Sequence, residues 1–133
     1  MEETPRDPGT EATRLAGSIY RQIQRWDYFS RKTLGDQMFR AAVSVASNMA
    51  EGRGRTTRQE YQFTSIAFGS CNETIAQLRI SQSCALMPRS TAAKLVARYE
   101  GVQSYLRDCL TRLEGCDDNS SRTPEPDATG VPF

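Results

Sequence analysis

Residues 34–55 read LGDQMFRAAVSVASNMAEGRGR, and their spacing decides the fold. Leu34, Met38, Ala42, Val45 and Met49 recur at steps of four, four, three and four. At 3.6 residues per turn such positions fall on one side of an α-helix. Ala41, Ala42, Ala46 and Ala50 are small residues on or near that side, so a second helix can approach closely. Thr33 with Asp36 approximates a capping box, Asp standing for the usual Glu, and marks the expected start. Gly52 or Gly54 can take the left-handed conformation that closes a helix, which marks the expected end.

The same period continues on both sides. Upstream, Thr10 is the expected N-cap of a first helix, with Glu11 in its first turn. Leu15, Ile19, Ile23 and Trp26 form its apolar stripe, and Asp27–Lys32 reads as the connection. Downstream, Thr57-Arg-Gln-Glu60 matches the capping box S/T-x-x-E. Tyr61, Thr64, Phe68, Cys71, Ile75 and Leu78 then step by three and four, up to a stop at Met87-Pro88. A fourth helix is expected from Ser90 or Thr91 to Gly115. Its seam of Leu95, Tyr99, Val102, Leu106, Cys109 and Leu113 follows a heptad. No segment alternates like a strand between hairpin turns. The pattern therefore predicts an all-α, antiparallel up-down-up-down four-helix bundle over residues 10–115. Residues 1–9 and 116–133 are rich in Pro and acids and are expected to be disordered tails.

With 133 residues the chain is expected to form one domain with its own core. No apolar run approaches the roughly 18 residues that cross a bilayer. The N-terminus lacks the basic start and apolar stretch of a signal peptide, so a cytoplasmic location is expected, with no membrane contact. The four cysteines, Cys71, Cys84, Cys109 and Cys116, form no C-x-x-C pair and read as reduced thiols. The absence of histidine excludes Cys/His zinc sites and every nucleophile activated by histidine. No catalytic residue, metal ligand or cofactor site is expected, and the chain reads as no enzyme. The net charge of +1 conceals a division. Residues 11–113 hold 15 basic against 8 acidic side chains, a net of +7, while the two ends carry −6. A basic body suits an anionic partner.

Two stretches are more specific than amphipathic patterning requires. One is Arg40 to Arg55, with Ser44, Ser47, Asn48 and Glu51 at helical spacing; the other is Gly69, Ser70 and Glu73. Together they resemble the bacterial four-helix-bundle protein family linked to intervening sequences of 23S ribosomal RNA. That family carries a pattern close to R-A-A-x-S-[IV]-x-S-N-[IL]-A-E-G-x-G-R and a G-S-x-x-E on its third helix. The resemblance spans about Leu15 to Leu113. It departs at Ala46, where the family usually has proline, and at Met49, where it has a branched aliphatic. It implies an antiparallel bundle, a ring-like homopentamer and nucleic-acid binding, since related proteins are accessory factors of diversity-generating retroelements.

Read from the residues, Arg53, Arg55 and Arg58 cluster at one turn and helix start and are the candidate contacts to RNA or DNA phosphates. Arg40, Asn48, Glu51 and Glu73 are expected to form a structural polar network in which Arg40 neutralises one or both carboxylates. Phe39, Phe63 and Ile66 lie off the main stripes and are the candidate oligomer interface. Trp26, Tyr28, Phe29, Tyr61 and Phe68, with Phe39 and Phe63, include candidates for base stacking, although most are expected in the core or between subunits. The rival reading is a protein-protein interaction scaffold without nucleic acid, which the near-neutral overall charge favours.

Overall fold

A computed structural model describes residues 7–120, with side chains through Cys116. Of the expected disordered tails, residues 1–9 and 116–133, the stretches 1–6 and 121–133 lie outside the described part, whereas 8–9 and 116–120 are helical. Four long helices make up the fold: α1, Pro8–Ile23; α2, which runs without a break through Tyr28–Ser30, Arg31–Gly35 and Asp36–Gly52; α3, Thr57–Ser83; and α4, Arg89–Ser120.

The stripes read from the sequence become the core. Leu15, Ile19, Ile23 and Trp26 pack with Met38, Ala42 and Val45, with Cys71, Ile75 and Leu78, and with Leu95, Tyr99, Val102 and Leu106. Neighbouring helices run antiparallel, as the contacts between them require. Tyr20 meets Phe39 while Arg53 reaches Asp7. Ser44 meets Ser70 while Met38 meets Ser81. Tyr61 bonds Glu114 while Arg79 bonds Glu100. In each pair the number rises along one helix as it falls along the other. Glu11 and Arg98 join α1 to α4 and close the bundle.

The ends of the helices differ from the expected ones for local reasons. Asp7, not Thr10, caps α1: its carboxylate accepts the Thr10 N–H at 3.0 Å, and Pro8 sits where no N–H is needed. Helix α2 starts at Tyr28, five residues before Thr33, because Asp27 caps it through the Ser30 N–H at 3.2 Å. Thr33 caps nothing and bonds back to the Phe29 carbonyl at 2.7 Å. The stretch Arg31–Gly35 is a π-turn, which holds more residues per turn than an α-helix. It brings Gly35 so close to α1 that a Cβ there would stand 2.8 Å from Ile23 Cγ2. Thr56, one residue before the expected cap, accepts the Gln59 N–H and begins α3. Helix α3 closes through Ala85, whose φ of 58° is the left-handed conformation, with the Leu86 N–H bonded to the Ser81 carbonyl at 2.9 Å. Helix α4 passes through Gly115 to Ser120, since a glycine weakens a helix without forbidding it.

Candidate nucleic-acid interface

The five-residue turn from Gly52 to Thr56 holds α2 and α3 together and carries the arginines. Gly52 is buried, and a Cβ there would lie 3.2 Å from Phe63 Cβ, so the last turn of α2 presses on α3. Arg53 leaves the helix in an extended conformation. Gly54 takes a φ of 75°, so of the two candidate glycines it is the left-handed one. Thr56 then starts α3, and Arg53, Arg55 and Arg58 are all exposed at this corner.

Each of the three is engaged within the chain. Arg53 Nη2 lies 3.4 Å from Asp7 Oδ2, at the start of α1. The Thr10 N–H, followed by Arg53, holds the Asp7 carboxyl below its usual 3.8. Arg55 Nε donates to the Glu51 carbonyl at 3.1 Å, its Nη2 lies 3.4 Å from the Glu51 carboxylate, and its guanidinium stacks 5.7 Å from the Phe63 ring centre. Arg58 also takes part in an interaction inside the chain. The two ion pairs lie in water and are weak. A phosphate can therefore replace either carboxylate at little cost.

The expected polar network is divided rather than joined. Asn48 Nδ2 donates to the Ser44 carbonyl at 2.9 Å and its hydroxyl at 3.0 Å, and the Ser70 hydroxyl donates to Ser44 at 2.8 Å. Glu51 serves Arg55, Glu73 accepts from Gln77 Nε2 at 3.1 Å, and Arg40 stands exposed. Arg40 lies midway between the core residues Met38 and Ala42, as Glu73 does between Cys71 and Ile75. A residue two positions from each of two core neighbours points about 160° away from both. The residues in question line the outer side of the α2–α3 seam, with Ser44 and Ser70 at its floor.

These same residues carry the pattern R-A-A-x-S…N-x-A-E-G-x-G-R and the G-S-x-x-E, now placed on adjoining helices. A family model described as 23S rRNA-intervening sequence protein matches residues 9–108. The chain belongs to this family. No curated protein matches the chain. For this intervening-sequence family member, the matched stretch takes in α1 from its second residue, all of α2 and α3 and most of α4, so the turn and the seam both lie inside it.

The three expected interface residues do not share a surface. Ile66 is exposed and Phe63 half-buried on the α2–α3 side, whereas Phe39 packs against Tyr20 between α1 and α2, their rings tilted by 53° with centres 5.4 Å apart. Among the described residues, no three Cys, Asp or Glu side chains come together as metal ligands, and no helix is long and apolar enough to cross a membrane. The fold sets two of the aromatic candidates apart from the rest. Tyr28 and Phe29, at the far end from the arginine turn, are the most exposed large apolar side chains described.

Proposed function

We propose that the chain is a non-enzymatic, homo-oligomeric bundle that binds RNA or DNA through basic surface in the cytoplasm. The observation that supports this most directly is the net charge of +7 over residues 11–113, displayed on exposed arginines and not consumed in the core. The family's link to ribosomal RNA agrees with it, and the resemblance supplies the expected ring of five. Arg53, Arg55 and Arg58 are the first contacts to test, because all three are exposed and the acidic partners of Arg53 and Arg55 are solvated and exchangeable. Asn48 serves the subunit structure through Ser44, while Arg40, Glu51 and Glu73 stand exposed with Ile66 on a face open to a neighbouring copy. The test is a salt titration of RNA and DNA binding by fluorescence anisotropy. Replacing Arg53, Arg55 and Arg58 by Ala should reduce the slope of log affinity against log salt by about 2–3. Wild-type protein that binds neither polymer would end this reading.

A protein-interaction scaffold is the second reading. It is favoured by the pairing of Arg53 with Asp7 and of Arg55 with Glu51, which balances the turn. A pull-down that retains one specific protein after nuclease treatment would select it. Light scattering of the purified protein measures the copy number directly, and a monomer would remove the ring from either reading.

A further inference from the structure

Charge is distributed unevenly between the two ends of the bundle. The end with the arginine turn comprises residues 7–14, 47–62 and 105–116, and holds six basic and six acidic side chains. The opposite end is formed where α1 meets α2 and α3 meets α4. Its residues 21–36 and 81–94 hold six basic side chains, Arg21, Arg25, Arg31, Lys32, Arg89 and Lys94, against only Asp27 and Asp36. The arginine turn attracts notice in the sequence, but the unbalanced positive field lies at the other pole.

The same pole carries the apolar pair that the core does not use. Trp26 is buried and closes the end of the core. Two residues later Tyr28 is 69% exposed and Phe29 72% exposed. Neither is part of the core, since the first turn of α2 buries no residue. The π-turn that follows sets this first turn out of phase with the stripe of Met38, Ala42 and Val45, so its side chains are directed outward. Lys32 Nζ lies 6.0 Å from the Tyr28 ring centre, which places a cation beside an aromatic face. Asp27, the carboxylate that adjoins them in sequence, is occupied as the helix cap through the Ser30 N–H.

Exposed aromatic rings among surplus cations match one kind of polymer in particular. A single-stranded nucleic acid offers unpaired bases to stack and phosphates to neutralise, and needs no groove of matching shape. A protein interface would more often keep lysine and other charges away from its apolar centre. Arg25 and Lys32 lie three and four residues from the aromatic pair. We propose that Tyr28 and Phe29 form a stacking platform for single-stranded RNA or DNA, with Arg25, Lys32, Arg89 and Lys94 contacting its phosphates. The proposal rests on the nucleic-acid reading above and locates a surface apart from the arginine turn.

The test compares the full chain with Tyr28→Ala/Phe29→Ala, with the conservative Tyr28→Phe/Phe29→Tyr, and with Lys32→Ala/Arg89→Ala. The probes are a fluorescent single strand of about 15 nucleotides and a duplex hairpin of similar charge. Circular dichroism and light scattering accompany each variant. Each base that loses its stack should weaken single-strand binding by roughly 5- to 150-fold, with the salt slope unchanged because stacking releases no counterions. The conservative pair should bind like the wild type. Lys32→Ala/Arg89→Ala should lower the single-strand salt slope by about 1.4. Wild-type affinity in Tyr28→Ala/Phe29→Ala overturns the platform while leaving the nucleic-acid reading intact. A smaller oligomer in that variant overturns it in favour of a subunit contact. Wild-type protein that binds no nucleic acid removes both readings together.

Discussion

Replacing Glu11 and Arg98, singly and together, tests what closes the bundle. Arg98 Nε lies 2.7 Å from Glu11 Oε2 and its Nη2 donates to Oε1 at 3.0 Å, so the planar guanidinium meets the carboxylate with both prongs. The side chains are 37% and 16% exposed, respectively, which lies between a surface pair and a buried one. Exposed pairs couple by about 0.2–1 kcal/mol, and removing one partner of a fully buried pair costs about 3–5 kcal/mol. The geometry here supports a coupling of about 1–1.5 kcal/mol, already reduced for the solvent at Arg98. Glu11 also sits in the first turn of α1, where the helix dipole adds a few tenths of a kcal/mol. Urea unfolding of the wild type, Glu11→Ala, Arg98→Ala and the double variant gives the coupling from a thermodynamic cycle. Each single change should lower the midpoint without altering the slope, and high salt should shrink the coupling only partly. A coupling below about 0.3 kcal/mol would show that apolar packing alone holds α1 against α4.

Three further outcomes follow from the structure. Ala85 adopts a left-handed φ at the close of α3, so Ala85→Gly should raise stability by about 0.5–1 kcal/mol, and a lower midpoint in urea would contradict that. Leu78 is fully buried among four helices, and Leu78→Ala should cost about 3–4 kcal/mol by the same assay; a loss under about 1 kcal/mol would mean the core collapses around the space. Burial raises the Cys71 thiol from 9.0 to about 12 and lifts Tyr99 as well. Native protein should therefore react quickly with a thiol reagent at Cys84 and Cys116 and not at Cys71, a result that mass spectrometry of the labelled peptides reads directly. Both groups bind protons more tightly folded than unfolded. Their contribution is complete below about pH 9 and is lost as pH rises toward 12, so the urea midpoint should fall over that range; a midpoint that stays level would show that neither group stays buried in its neutral form.

Much of this was written in the one-dimensional pattern, for a clear reason. Helical periodicity and the burial it produces are local properties, so Leu15, Ile19, Met38, Cys71, Leu78, Tyr99 and Leu106 were legible as core before any fold was known. The outward position of Arg40 and Glu73 was also legible, since each lies midway between two core residues, a phase at odds with the expected polar network. The helix starts were less legible, because Asp7 and Asp27 act as caps from outside the apolar repeats and the π-turn shifts the phase of α2 without any marker in composition.

The tertiary structure alone decided what meets what. Asp7 lies 46 residues from Arg53, and only the antiparallel return of α2 along α1 brings them together and moderates a turn that looked plainly cationic. The two connections at the opposite pole are likewise distant in sequence, and their cations sum to one field only because the chain folds up-down-up-down. Tyr28 and Phe29 looked like any aromatic pair beside an apolar stripe until the fold buried Trp26 and left them in water. Sequence determined the helices and their apolar faces because those depend on neighbours within a turn. The charge balance of each pole and the exposure of each aromatic depend on partners brought from other helices, which only folding supplies.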